Sequence, residues 1–171
     1  MNLQEFHKEK LKELEAKPHG FCHTLAGLGA GEVFVNYISS HSERPVLIVA
    51  PASMRTVWGE RFDRKGIPFS IPKVGPLDAS RVIIVSYEFL HNNLQKLIRL
   101  QPRVLIFDEP HGLFEVRGQR MFRDTAKAKS ANRLAIAVQD DSFGNKVWYL
   151  VPTGCFPINE TTDVIMDVAS A

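Results

Sequence analysis

Val104-Leu105-Ile106-Phe107-Asp108-Glu109-Pro110-His111 is the stretch on which the fold turns. Four apolar residues in a row predict a strand buried on both faces, as in a parallel sheet. Asp108 and Glu109 then fall where the strand ends, before a proline that stops regular pairing. Open α/β sheets bind ligands at the carboxyl ends of their strands. An Asp there can hold Mg²⁺ directly or through water, and a neighbouring Glu can polarise a water for attack on a phosphate. A strand cap carrying two solvated acids accounts for the same eight residues.

The rest of the chain sets the bounds. Its 171 residues fit one domain with a real core. A hydrophobic content of 44% and a charged content of 23% are those of an ordinary soluble globular protein. A net charge of +2 is too small to demand a nucleic-acid partner. Cys22 and Cys155 form no metal pattern and no disulfide framework, which fits a reducing, intracellular setting. The N-terminus is charged, with no apolar core for a signal peptide, and no apolar run approaches a membrane span.

Leu3 to Ala16 reads as a helix, with Leu3, Phe6, Leu11 and Leu14 on one arc. His7 lies inside that arc, so it faces the body of the protein; a hydrogen-bonded core histidine is the plain reading. Pro18-His19-Gly20 breaks the helix, and Phe21 to Ala26 reads as a short strand. Gly27-Leu28-Gly29-Ala30-Gly31 follows, then a helix with Val33, Phe34, Tyr37 and Ile38 on one side. Strand, glycine-rich turn and helix is the context of a phosphate-binding loop. Such a loop also needs a Lys for the outer phosphates and a Ser or Thr for Mg²⁺, and no lysine occurs between Lys17 and Lys65. Glu32 would repel phosphate while suiting the helix dipole. A tight strand-to-helix connection is the competing reading.

Pro45 to Ala50 predicts a buried strand, and Ser53 the N-cap of a helix to about Arg64 with Met54, Val57, Trp58 and Phe62 inward. Phe69 to Val74 predicts an edge strand because of Pro72. Arg81 to Val85 predicts another buried strand, followed by a helix carrying Leu90, Leu94, Leu97 and Ile98. Gly112 to Arg133 is basic, through Arg117, Arg120, Arg123, Lys127, Lys129 and Arg133, which suits a solvated face or a phosphate track. Arg120 to Gln139 reads as helix, with Leu134 to Val138 as an alternative strand. Asp140 to Asn145 is a loop, Val147 to Val151 the last strand, and Asn159 to Ala169 a closing helix. The alternation predicts an α/β three-layer sandwich: a mostly parallel sheet with helices on both faces.

In that order the strand ends resemble the first RecA-like lobe of superfamily-two helicases, most closely the Swi/Snf-type DNA translocases. The resemblance spans nearly the whole chain. Leu3 to Glu9 looks like the entry helix that reads adenine, with His7 at its glutamine position. Gly27-Leu28-Gly29-Ala30-Gly31 looks like the Gly-Leu-Gly-Lys-Thr loop, with Ala30 and Gly31 replacing Lys and Thr; a second register puts Glu32 and Val33 there. Pro51-Ala52-Ser53-Met54 with Trp58 and Phe62 is similar to motif Ia, and Val85-Ser86-Tyr87-Glu88-Phe89-Leu90 to the next DNA-side motif. Asp108-Glu109-Pro110-His111 looks like the Asp-Glu-Ala-His box, and Thr153-Gly154-Cys155-Phe156-Pro157 resembles the Thr-Gly-Thr-Pro coupling motif.

The resemblance implies a P-loop NTPase (RecA-like) fold over residues 1–171, without a second lobe. It implies ATP and Mg²⁺ as cofactors, near His7, Gly27, Gly29, Ala30, Gly31 and Glu32. Asp108 would hold the metal, and Asp108, Glu109 and His111 would act in catalysis. Ser53, Arg55, Ser86 and Tyr87 would meet the DNA backbone, and Thr153 and Gly154 would couple the two sites. Three positions that touch nucleotide in the family are changed, and the arginine fingers belong to a second lobe. Hydrolysis of this kind is mostly positioning and charge stabilisation. The chain alone is therefore expected to be impaired or inactive as an ATPase. A non-enzymatic module that binds DNA or a protein, a relic or an engineered one, and a purely structural domain are the alternatives.

Overall fold

The computed structural model describes residues 3–24, 30–73, 77, 81–110, 114–117, 120–122, 125–140 and 144–152. Gly27, Gly29, His111, Thr153, Gly154 and the helix expected from Asn159 lie outside them.

The buried strand β5 (Val104–Asp108) lies inside a six-stranded sheet. The other members are β1 (His19–Thr24), β2 (Val46–Val49), β3 (Phe69–Ser70), β4 (Val82–Val85) and β8 (Lys146–Pro152), in the order β1-β8-β5-β2-β4-β3. Every pairing in this sheet is parallel, so all six carboxyl ends share one edge. The strands expected from sequence therefore form one sheet with their motif-bearing ends together. The first of them starts earlier than expected and takes in His19 and Gly20. Gly20 allows this, because a Cβ there would stand 2.6 Å from the Trp148 ring of the neighbouring strand.

Alternation along each strand divides the core in two. Val46, Ile48, Val82, Ile84, Val104 and Ile106 face helices α1 (Leu3–Ala16), α2 (Ala30–Ser40) and α3 (Arg55–Arg64). Leu47, Val49, Ile83, Val85, Leu105 and Phe107 face α4 (Tyr87–Asn92), α5 (Leu94–Arg99) and α6 (Ala126–Asp140). Both faces are covered, which is why the strands read as unbroken apolar runs.

Several boundaries differ from the sequence reading. Ser53 does not cap α3: Met54 N–H bonds back to the Pro51 carbonyl at 2.8 Å, a 3₁₀ turn forms over Ala52–Met54, and the α-helix starts at Arg55. Ser86 does cap, its Oγ accepting from Phe89 N–H at 3.0 Å. The helix expected after it is two, because Asn93 leaves helical geometry and its side chain donates to the Phe89 carbonyl. Arg120 does not begin a helix. Arg120–Phe122 (β7) pairs antiparallel with Phe114–Arg117 (β6), and α6 starts after Thr125, whose Oγ1 accepts from Ala128 N–H. Leu134 to Val138 is helical, not a strand.

Gly20→Ala should destabilise the protein by about 1–3 kcal/mol through overpacking against Trp148. Urea denaturation of Gly20→Ala alone and with Trp148→Phe checks this. The smaller ring should recover part of the loss, and equal losses in both backgrounds would refute the contact.

Candidate functional site

Asp108 closes β5 on the row of Val104 and Ile106, so strand alternation aims its side chain at the α1–α3 face. There Trp58, one turn into α3, donates its indole N–H to Asp108 Oδ2 at 2.8 Å. The Asp108 carbonyl accepts from the Tyr87 hydroxyl at 2.6 Å, and the Tyr87 ring stacks on Phe107. Glu109 N–H then bonds to the Leu150 carbonyl at 3.1 Å, across the β5–β8 ladder. Glu109 sits in left-handed geometry at φ 49° and is exposed, while Asp108 is buried. The two adjacent acids thus live in different media. Burial pushes the Asp108 carboxyl up; the Trp58 N–H works against that, the Glu109 charge with it, and the Arg61 guanidinium against it. Burial, and then the Asp108 and Glu109 charges, push the Tyr87 phenol well above its usual range.

Ala30 and Gly31 open α2, and Gly31 is buried. A Cβ on Gly31 would meet Arg61 Nη1 at 2.3 Å, so the guanidinium rests directly on this glycine. Arg61 Nε stands 3.7 Å from Glu32 Oε1, and the guanidinium carbon lies 4.9 Å from the Trp58 ring centroid. Arg64 lies farther out, with Nη2 at 4.0 Å from the same Glu32 oxygen. Sequence reasoning did not single out Arg61, the cation that α3 supplies beside Glu32 and Asp108. The signal was present, since Arg61 follows Trp58 by three residues and shares its side of the helix.

The residues expected to meet DNA separate into groups. Ser53 is exposed in the 3₁₀ turn. Arg55 opens α3, its Nε donating to the Ala52 carbonyl at 3.3 Å. Arg55 and Ser86 line one cleft of about 320 Å³, together with Lys73, Glu88, Asn92 and Asn93. Tyr87, by contrast, turns inward, so its hydroxyl is committed to the sheet edge. Lys73 and the two asparagines were not singled out from sequence. His7 is half-buried on α1.

No family model matches the chain. Two curated relatives carry the name SWI/SNF-related matrix-associated actin-dependent regulator of chromatin subfamily A-like protein 1. The Xenopus tropicalis protein is 32% identical over 101 residues, covering 55% of this chain and 11% of that protein. The Xenopus laevis protein is 30% identical over 101 residues, covering 55% of this chain and 10% of its own length. The chain thus spans about a tenth of these relatives. Among solved structures, the Sulfolobus solfataricus SWI2/SNF2 ATPase core in complex with dsDNA superposes at a TM-score of 0.65 with 16% identity, over 97% of this chain and 34% of that one. Escherichia coli DEAH/RHA helicase HrpB superposes at 0.62 with 14% identity, over 89% and 20%.

This chain has the fold of a helicase ATPase-core lobe and is similar, over 101 residues, to the SWI/SNF-related relatives.

The resemblance in sequence implies ATP and Mg²⁺, and the similar Sulfolobus protein is named as an ATPase core. The described residues of this lobe do not fit that pair in the family's way. Mg²⁺ needs near-octahedral oxygen ligands, commonly one or two carboxylates plus phosphate and water. Here one Asp108 oxygen is held by Trp58, and a guanidinium covers Gly31. Among the described residues no three His, Cys, Asp or Glu side chains gather to hold a metal.

Trp58→Phe should cost about 1–3 kcal/mol, because it leaves a buried carboxylate oxygen without its donor. The folded Asp108 carboxyl titrates above its unfolded value. Its contribution to stability is therefore complete below the unfolded pKa and is lost as pH rises through the folded one. Asp108→Asn should accordingly gain on the wild type between about pH 4 and about pH 7. Thermal melts at both values check it, and a difference that stays constant would show that ionising Asp108 carries no cost.

Proposed function

We propose that this lobe binds the DNA backbone and does not turn over ATP. The observation that carries the reading is the cleft at the carboxyl edge of the sheet. Arg55 and Lys73 bring two cations to it, Ser86 a hydroxyl and Asn92 an amide group; Glu88 adds one acid, and the Asn93 amide N–H is committed to the Phe89 carbonyl. Such groups suit phosphate and sugar, which position a protein on nucleic acid without reading sequence. The similar Sulfolobus core was solved with dsDNA, which supports the same ligand class here. Ser53, exposed beside Arg55, extends the track. Residues 1–171 would act as one RecA-like unit, and a second lobe or another protein would be needed to complete a translocase. A nuclear or nucleoid setting suits a DNA ligand and agrees with relatives named as chromatin regulators.

The absence of turnover follows from charge. The Gly27–Gly31 stretch lacks a lysine and a hydroxyl, and Glu32 stands at the start of α2. Chemistry that depends on positioned cations loses most of its acceleration without them.

Fluorescence anisotropy with duplexes of unrelated sequence tests the DNA reading. Affinity should be alike among sequences and fall steeply with salt; Arg55→Ala should weaken all of them and reduce the log–log salt slope by about 1. Affinity that does not change with salt would rule out backbone binding. Phosphate release from Mg·ATP should stay at background, with or without DNA. Turnover that Glu109→Gln abolishes would return this lobe to the active ATPases.

A further inference from the structure

The misfit between this edge and a Mg·nucleotide has a definite occupant. We propose that Arg61 is a tethered cation, built into the mouth of α2, that holds the place of the exchangeable cations and keeps Mg·nucleotide out. The proposal rests on reading Ala30 and Gly31 as the positions of the family's lysine and threonine.

Four observations converge on it. Gly31 is buried and carries no Cβ, and the space a Cβ would take is filled by the Arg61 guanidinium. A threonine at position 31, as the family pattern has it, would collide with that group. Glycine is therefore the residue that admits Arg61, not merely a lost hydroxyl. Next, the guanidinium lies on the Trp58 ring, 4.9 Å from its centroid, and Trp58 is fully buried. The ring fixes one side of the cation and strengthens its hold. Third, Glu32 stands 3.7 Å from Arg61 Nε, so the first-turn acid of α2 pairs inward with α3. Finally, Trp58 spends its N–H on Asp108 Oδ2, so one aromatic ring joins the cation to the buried acid of the Asp-Glu pair. Among the described residues the charged groups that meet Arg61 are Glu32 from α2 and Asp108 from β5, and Arg64 of its own helix reaches the same Glu32 oxygen. Two carboxylates thus already have a counter-ion on a fixed stem, and Arg61 is only 20% exposed. Arginine suits this role because it stacks, stays charged and offers several donors.

The test uses the full chain, with ¹⁵N-labelled protein and isothermal titration of Mg·ATP. Gly31→Ala inserts a methyl against the end of a flexible side chain. It should leave the fold intact and move the Trp58 indole N–H and Arg61 Nε–H signals, the former as Arg61→Gln does. Unmoved signals in a folded Gly31→Ala protein would overturn the contact. In the loop restored by Ala30→Lys with Gly31→Thr, adding Arg61→Ala should tighten Mg·ATP binding by about tenfold, the effect of removing one charged competitor from its ion pair. Equal affinity with and without Arg61, or no binding in either, would overturn the proposal, because the block would lie elsewhere. Mg·ATP binding by the unmodified chain that Arg61→Ala abolishes would also overturn it, by making Arg61 a phosphate ligand. DNA affinity of the unmodified chain, on which the proposed function turns, does not enter either comparison.

Discussion

The bond from the Trp58 indole N–H to the Asp108 carboxylate is the constraint around which the carboxyl edge is arranged. A carboxylate at the end of a buried strand must find a donor or give up its charge. Strand alternation leaves Asp108 no choice of side, and α3 is the helix on that side. Trp58 answers with one N–H while filling the core beside Phe62. The other helical layer reaches the same residue through Tyr87, which holds the Asp108 carbonyl. Asp108 is therefore gripped from both faces of the sheet, by its side chain and by its backbone.

Electrostatics at this edge follows from that grip. Asp108 and Glu109 are neighbours in sequence but not in environment. One is desolvated and hydrogen-bonded; the other projects into water from a left-handed residue. A cation that acts on the buried acid comes from α3 and stacks on the ring that bonds it. A helix-borne guanidinium on a packed ring is ordered by its neighbours, whereas an exchangeable ion would have to be bound from solution. The charge balance of the site is thus covalently built in.

The same edge divides by chemistry. Toward β1 and β5 it is acidic with an internal counter-ion. Toward β4 and the start of α3 it is open, with Arg55, Lys73, Ser86, Glu88 and two asparagines around one cleft. The two halves meet at the β4–β5 strand ends, where Ser86 caps α4 and Tyr87, one residue on, bonds to Asp108. A ligand in the open half would therefore lie one residue from a group that touches the buried acid.

Sequence by itself determined the parallel sheet and its two helical layers. Apolar runs such as Val46–Val49 and Val104–Phe107 can satisfy burial on both faces only in that arrangement. It also located the candidate motifs, since each follows an apolar run that must stop there. Local competition blurred the boundaries: a 3₁₀ turn displaced Ser53 as a cap, Asn93 split a helix, and a short hairpin took Arg120. Tertiary structure alone decided where the side chains went. Tyr87 turned inward because the Asp108 carbonyl lay within reach across the strand ends. Arg61, read as one more charge on a surface helix, became the cation of the site because Gly31, 30 residues earlier, left room for it. Periodicity reports the face a residue occupies on its own element; which element that face meets, and what fits between them, is a property of packing.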